Sequence, residues 1–226
     1  MNESRIALIH ATPLAMEPVR KAFKQLWPEA VRMDLLDDSL SPDLSAAGWI
    51  DEALTERFIA LARYAVQSGA VGILFTCSAF GPAIEAAGAS AGVPTLKPNE
   101  AMFEEALDVC AGLGRPGRIG MISTFAASVA SMRHELEAIA GKRGIDFTLH
   151  VECPAGALEA LSQGRPADHD AQVLAAAREL RGCDIVMLGQ FSTAHMRERV
   201  AADLSVPVLS SPDSAVRSLK KSVEST

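Results

Sequence analysis

Cys77 stands at a position where a thiol could do chemistry. The apolar run 70–75 before it shows no polar alternation, so it predicts a strand buried on both faces, and the Ala-rich segment after Phe80 predicts a helix. Ligands of open parallel α/β sheets bind beyond the carboxyl ends of the strands, and the amino end of a following helix favours a thiolate. We therefore predict that Cys77 is reactive. The alternative, of equal weight, is that Cys77 is only a small hydrophobic side chain buried in the core.

Hydrogen-bond donors recur at the other predicted strand ends. Thr12 follows the first strand, Ser78 follows the cysteine, and Thr124 and Ser192 lie in loops of the second half of the chain. Hydroxyl groups and backbone N–H groups in such loops are suited to hold a carboxylate or a developing enolate. Capping of the next helix is the alternative for each residue, because a cap uses the same groups.

The elements that must position these residues alternate between strand and helix, which is the pattern of a parallel sheet with helical crossovers. The clearest predicted helix is 51–67, whose apolar residues recur at helical spacing, and residues 41–48 are predicted to form a loop. The other predicted helices begin near 13 and near 99, and the other predicted strands span 5–10, 31–36, 93–96, 118–122 and 184–188.

The second half of the chain repeats the first at an offset of 113 residues, which indicates an internal duplication. Two like α/β lobes are therefore predicted, with the strand ends of both lining a cleft between them, and Cys77 then corresponds to Gln190. We assign 1–98 and 211–226 to the amino lobe and 99–210 to the carboxy lobe. The matching pairs include Arg5 with Arg118, Ile9 with Ile122, Gly69 with Gly182, and Pro94 with Pro207.

Composition limits the classes of function. The 226 residues, 49% of them hydrophobic, can bury one sizeable core or two small ones. A net charge of −7 without a Lys/Arg cluster argues against a nucleic-acid partner. No apolar run approaches the ~20 residues of a membrane span, residues 1–10 lack a secretory signal, and the four cysteines lack CxxC spacing. We expect a cytoplasmic protein with reduced thiols and no membrane partner, and a homo-oligomer would be compatible with the Ala-rich composition.

Motifs of several other enzyme classes are missing from the sequence. It contains no GxxxxGK[ST], no GxSxG and no paired histidines at metal-ligand spacing. Nucleotide hydrolysis, the α/β-hydrolase mechanism and zinc catalysis are therefore disfavoured. We expect no metal at the site.

Four short motifs together resemble the aspartate/glutamate/hydantoin racemase superfamily: IALI at 6–9, FTCSA at 75–79, GMIST at 120–124 and LG at 188–189. The resemblance covers essentially the whole chain. It implies two flavodoxin-like lobes with an active site between them, and chemistry without a cofactor at the carbon next to a carboxylate. Members include racemases, maleate isomerase and arylmalonate decarboxylase, and in the racemases each lobe supplies one cysteine.

Gln190 occupies the position at which the resemblance implies a second cysteine. Glutamine neither releases nor accepts a proton near neutral pH, so we expect one-sided proton transfer by Cys77 rather than racemisation by two thiols. Cys183 precedes the predicted strand 184–188, so we expect it at the end of the sheet opposite the cleft. His195 is expected on a helix surface. The substrate is expected to be a small carboxylate, bound by a set of residues at the strand ends: His10, Thr12, Ser78, Ala79, Thr124, Phe125, Gln190, Phe191 and Ser192.

Two alternatives come from other classes of protein. A non-catalytic carboxylate-binding protein would use the same cleft and would bind its ligand partly through Gln190. A cysteine hydrolase or acyltransferase would need His10 or His195 within hydrogen-bond reach of the thiol.

Overall fold

The computed structural model describes residues 4–225, so residues 1–3 and 226, which the predicted amino lobe includes, lie outside it. Contacts divide the chain into two compact units, Met1–Pro98 with Ala215–Thr226 and Asn99–Ser214. The helix Ser211–Glu224 begins in the second unit and ends in the first.

The elements of the first unit are β1 (Arg5–His10), α1 (Met16–Leu26), β2 (Val31–Leu36), α2 (Leu40–Ala47), α3 (Glu52–Gln67), β3 (Gly72–Phe75), α4 (Gly81–Ala91) and β4 (Thr95–Leu96). The strands form a four-stranded parallel sheet in the order β2-β1-β3-β4, with helices packed on it. β3 is buried along its whole length, as predicted from its uninterrupted apolar run. The core of this unit lies between the sheet and the helices α3 and α4.

The elements that follow are α5 (Glu100–Ala111), β5 (Gly117–Ile122), α6 (Val129–Arg143), β6 (Phe147–Glu152), α7 (Ala157–Ser162), α8 (Pro166–Glu179), β7 (Ile185–Leu188), α9 (Arg197–Leu204), β8 (Val208–Ser210) and α10 (Ser211–Glu224). The second unit has the same architecture as the first, with strand order β6-β5-β7-β8 and parallel pairing throughout. The predicted α/β class, with one parallel sheet in each of two like units, is therefore confirmed.

The offset of 113 residues also relates the elements of the two units. It carries Gly72–Phe75 onto Ile185–Leu188, and the 3-10 turn Pro13–Ala15 onto the 3-10 turn Ala126–Ser128. The repeated arginine and glycine pairs have a structural reason. Gly69 and Gly182 both have positive φ angles, 85° and 94°, and a Cβ added at either glycine would lie 3.6 or 3.8 Å from Nη1 of the matching arginine, Arg5 or Arg118.

The predicted loop at 41–48 is wrong, because residues 40–47 form α2. Ser, Pro and Asp in this stretch suggested a loop, yet proline is tolerated in the first turn of a helix. Two tertiary contacts stabilise the helix: Leu40 is fully buried in the core of the first unit, and Asp43 accepts a hydrogen bond from Arg57 of α3.

Each of the four crossovers that begin at β1, β3, β5 and β7 starts with a 3-10 turn before its α-helix. The turn after β3, Ser78–Phe80, separates Cys77 from α4. Between residues 4 and 225, no helix combines the length and the apolar character needed to cross a membrane.

Candidate functional site

Cys77 lies directly beyond the carboxyl end of β3, and aromatic packing fixes the turn that carries it. Phe75 ends the strand and Phe80 ends the 3-10 turn, and both rings pack on Phe58 of α3 with centroid distances of 5.3 and 4.8 Å. The backbone N–H of Thr76 donates to the Ile9 carbonyl at 3.0 Å, which continues the β1–β3 pairing for one more residue. The four residues between the two phenylalanines are thus held at both ends.

A buried polar network supports the residue before the cysteine. His10 at the end of β1 has no exposed surface; its Nδ1 lies 2.8 Å from Thr76 Oγ1 and its Nε2 lies 3.0 Å from Asp34 Oδ1. Arg20 donates from Nε and Nη2 to the other oxygen of Asp34, at 3.2 and 2.9 Å. Because a carboxylate only accepts, Nε2 of His10 carries the proton, and the Thr76 hydroxyl donates to Nδ1.

In this network both ring nitrogens of His10 are bonded to protein groups, so the ring supports Thr76, the residue before the cysteine. The predicted contact of His10 with a substrate stays a prediction. Burial lowers the pKa of His10, against the opposing hydrogen bond and charge of Asp34, which keeps the ring neutral near pH 7.

The expected lowering of the Cys77 pKa is wrong. Burial raises the pKa of this half-buried thiol above its ordinary value, and the backbone N–H of Ala79 opposes the shift only in part. The physical reason is the removal of the sulfur from water. In addition, the 3-10 turn Ser78–Phe80 separates Cys77 from α4, and the field of a helix terminus falls off within about one turn. Cys77 is therefore a protonated thiol at neutral pH.

Ser78, Ala79 and Thr12 occupy the loops predicted for them, and each is partly accessible. Thr12 Oγ1 accepts a hydrogen bond from the backbone N–H of Leu14 at 3.4 Å, which is the capping role considered as its alternative. Ser78 is the first residue of the 3-10 turn, directly after the thiol. Their contact with a substrate stays a prediction.

Gln190, the counterpart of Cys77 in the second unit, uses its whole side-chain amide inside the protein. Its Oε1 accepts from the Thr124 backbone N–H at 2.7 Å and lies 3.4 Å from the Thr124 hydroxyl. Its Nε2 donates to the hydroxyls of Ser123 and Ser128 at 2.9 and 3.2 Å. The residue joins the end of β5 to the end of β7, much as the pair formed by His10 and Thr76 joins β1 to β3.

The other residues predicted in the second unit lie on two of its strand-end turns. Thr124 is 6% exposed and borders a cavity of about 420 Å³, which is also lined by Cys153 and Glu159. Phe125 is 40% exposed, whereas Phe191 is buried in this unit. Ser192 is partly accessible, and its carbonyl lies 3.0 Å from His195 Nδ1.

Sequence reasoning missed several residues around these turns. Asp34 escaped notice because β2 showed no sign of contributing to a site, and Ser123 and Ser128 read only as turn residues. Cys153 is an exposed thiol that directly follows β6, a strand that the sequence analysis did not identify. The alternation of apolar and polar side chains in residues 147–152 was the sequence signal for this strand, and Cys153 follows it directly.

Taken together, the fold and the site define a class: an α/β protein of two like units, each with a four-stranded parallel sheet, and a cysteine beyond the carboxyl end of a central strand. The family model described as Asp/Glu/Hydantoin racemase matches residues 8–219. The chain therefore belongs to the Asp/Glu/hydantoin racemase family, which confirms the resemblance seen in the sequence. No curated protein sequence matches the chain.

Solved structures of similar fold come from racemases and a decarboxylase. Allantoin racemase from Klebsiella pneumoniae is 19% identical, with a TM-score of 0.72, over 98% of this chain and 88% of that one. Glutamate racemase RacE1 from Bacillus anthracis is 16% identical, with a TM-score of 0.74, over 100% and 83%. A cysteine variant of arylmalonate decarboxylase in its sulfate-associated form is 18% identical, with a TM-score of 0.64, over 97% and 93%. At these identities the likeness shows the fold.

Proposed function

We propose that the protein is an isomerase or carbon–carbon lyase that acts, without a cofactor, at the carbon next to the carboxylate of a small substrate. Cys77 carries the proton in this proposal. The observation that supports it is the placement of this half-buried thiol beyond the carboxyl end of β3, on a turn fixed by Phe58 and by the network behind Thr76. The family includes racemases and a decarboxylase among its solved relatives, which fits both reaction types.

The raised pKa of Cys77 favours a role as proton donor. In the lyase form of the reaction the substrate loses carbon dioxide, and the electrons of the broken bond stay on the neighbouring carbon as an enolate. The Cys77 S–H bond then breaks, its proton goes to that carbon, and the thiolate regains a proton from water. A thiol that is protonated at neutral pH is ready for this step, whereas the isomerase form requires it to be deprotonated first.

Gln190 offers no second proton carrier at the position that corresponds to Cys77. Its amide oxygen and nitrogen are bonded to Ser123, Thr124 and Ser128, and an amide offers no proton at neutral pH. The same bonding weakens the alternative in which a non-catalytic protein holds a carboxylate through Gln190.

The hydrolase or acyltransferase alternative needs a histidine base at the thiol. Within residues 4–225 no side chain hydrogen-bonds to Cys77 Sγ. The two histidines considered for this role are bonded elsewhere: His10 to Thr76 and Asp34, and His195 to Asp170. This arrangement favours proton transfer to carbon.

The test is turnover of a panel of small α-substituted carboxylates and malonates in D2O, followed by NMR for deuterium at the carbon next to the carboxylate. We expect incorporation with the wild type and a loss of roughly 10²–10⁴-fold in Cys77→Ser, the usual contribution of a positioned acid or base.

Cys153→Ser is the matched control, because Cys153 is an accessible thiol in the other unit, and it should retain activity. Activity that survives in Cys77→Ser would overturn the proposal. Binding of the same carboxylates without turnover by the wild type would favour the binding-protein alternative.

A further inference from the structure

Two histidines and an aspartate come together in the second unit, away from the Cys77 turn. His169 and Asp170 lie in the first half of α8, and His195 lies in the 3-10 turn Phe191–Met196. Asp170 Oδ1 is 2.9 Å from His169 Nδ1 and 2.7 Å from His195 Nε2. Their candidate ligand atoms all lie within 4.8 Å of one another. Two imidazoles and a carboxylate form a ligand set that proteins use for zinc and related divalent ions.

The hydrogen bonds of His195 orient its ring toward the cluster. Its Nδ1 lies 3.0 Å from the Ser192 carbonyl, which can only accept, so Nδ1 donates to it. The other ring nitrogen, Nε2, then faces Asp170 Oδ1 at 2.7 Å. A metal-ligating histidine that donates its other N–H to a backbone carbonyl is the usual arrangement around a bound metal.

The cluster is rigid on one side and accessible on the other. The His169 side chain is fully buried and its ring stacks on that of His195, with a centroid distance of 5.7 Å. The side chains of Asp170 and His195 are 23% and 40% exposed, which leaves a path for an ion. The cluster therefore has an entry from solvent.

We propose that His169, Asp170 and His195 bind one divalent transition-metal ion, for which zinc is the best match, with water in the remaining position. A bound ion would tie α8 to the 3-10 turn that follows Gln190. The proposal is independent of the reaction proposed for Cys77.

The structure also indicates how tightly the cluster would bind the metal ion. When His169 binds through Nδ1, its proton moves to Nε2, and this buried nitrogen has no hydrogen-bond partner within residues 4–225. A missing partner of this kind typically weakens metal binding by about 10–100-fold. We therefore expect micromolar affinity, weaker than that of a structural zinc site with all of its supporting bonds.

The experiment is calorimetric titration of the metal-stripped full-length protein with ZnCl2, paired with Co²⁺ titration followed by visible absorption. We expect one equivalent of metal per chain and a melting temperature several degrees higher in zinc. His195→Gln and Asp170→Asn should each weaken binding at least about ten-fold and abolish the thermal shift. These variants are partly exposed, so the test does not depend on replacing the buried His169.

Two controls separate this site from other metal ligands. His134→Gln removes an exposed histidine that is not in the cluster, and Cys153→Ser removes the exposed thiol; both should bind zinc as the wild type does. The proposal is overturned if the wild type binds no metal at millimolar concentration. It is equally overturned if His195→Gln and Asp170→Asn bind zinc with unchanged affinity.

Discussion

Cys77 experiences two opposed effects, and burial is the stronger. The Ala79 N–H stabilises the thiolate, but removal of the sulfur from water raises the pKa above the ordinary 9.0. The sequence could show the strand end and the thiol. It could not show the 3-10 turn that separates the thiol from α4, because three residues of local sequence do not distinguish a 3-10 turn from the first turn of an α-helix.

The raised pKa predicts slow alkylation of Cys77. Iodoacetamide reacts with the thiolate, so below pH 9 Cys77 should react more slowly than an ordinary thiol, and its rate should still be rising above that pH. Cys153, which is exposed, should be modified first. Peptide mass spectrometry across a pH series measures both sites, with the buried Cys110 as an internal control. Fastest labelling at Cys77, with a midpoint below pH 8.5, would contradict the direction of the shift.

His10 predicts a pH dependence of stability in the first unit. Its folded pKa lies below the unfolded value of 6.5, so as pH falls below that value the unfolded state binds a proton that the folded state resists. Stability attributable to His10 is therefore present above pH 6.5 and lost as pH falls toward the folded pKa, by at most about 1.4 kcal/mol per pH unit.

The measurement is urea unfolding of the wild type and His10→Asn between pH 7.5 and 5.5. The variant should lose less stability on acidification than the wild type. At pH 7.5 its free energy of unfolding should be lower by about 1–3 kcal/mol, because Asp34 and Thr76 lose a buried partner. His134→Asn, at an exposed site, should follow the wild type. Parallel pH profiles for the wild type and His10→Asn would show that protonation of His10 does not contribute to the pH dependence of stability.

At the scale of elements, each unit joins its two central strands by polar bonds beyond their carboxyl ends. In the first unit His10 and Thr76 make the link, and in the second unit Ser123, Thr124 and Gln190 make it. Ser123 corresponds to His10 across the repeat, but Gln190 corresponds to Cys77, and the counterpart of Thr76 is Gly189. The sequence located these turns correctly from strand and helix alternation, but the partners within them are set by tertiary packing.

Gln190→Ala should loosen the second unit. The substitution leaves the Thr124 N–H, at a residue only 6% exposed, without its acceptor, which costs about 1–3 kcal/mol. Hydrogen exchange of peptides covering 117–128 should become roughly ten- to hundred-fold faster. Gln163→Ala, at an exposed position, serves as the control and should leave these peptides unchanged. Unchanged exchange in Gln190→Ala would mean that the amide is dispensable to the turn.

The repeated glycines allow a paired test of the duplication. Gly69 and Gly182 precede corresponding strands with φ angles of 85° and 94°, where an L side chain is strained by about 1–2 kcal/mol. Gly69→Ala and Gly182→Ala should both lower the melting temperature. Gly141→Ala, inside α6 with open space around the new methyl group, should instead stabilise by about 0.5–1 kcal/mol. Tolerance of alanine at one glycine of the pair would show that the two turns are not equivalent.

At the scale of the whole chain, the offset of 113 residues predicted the repeat of strands and helices that the two units show. What the sequence missed is non-local. The network from Thr76 to Arg20 joins residues up to 66 positions apart, and the cluster of His169, Asp170 and His195 joins α8 to a turn 25 positions later. Such contacts depend on which faces of the elements pack together, and hydrophobic periodicity does not specify polar partners.

The central claim is that one thiol delivers a proton to one face of a carbon acid. The most direct measurement is the configuration of the product formed in D2O, determined by chiral chromatography with mass detection. We predict deuterium in a single enantiomer for the wild type and for Cys153→Ser, and roughly 10²–10⁴-fold slower incorporation for Cys77→Ser. Equal deuterium in both enantiomers would contradict the claim, because it requires a second proton carrier on the opposite face.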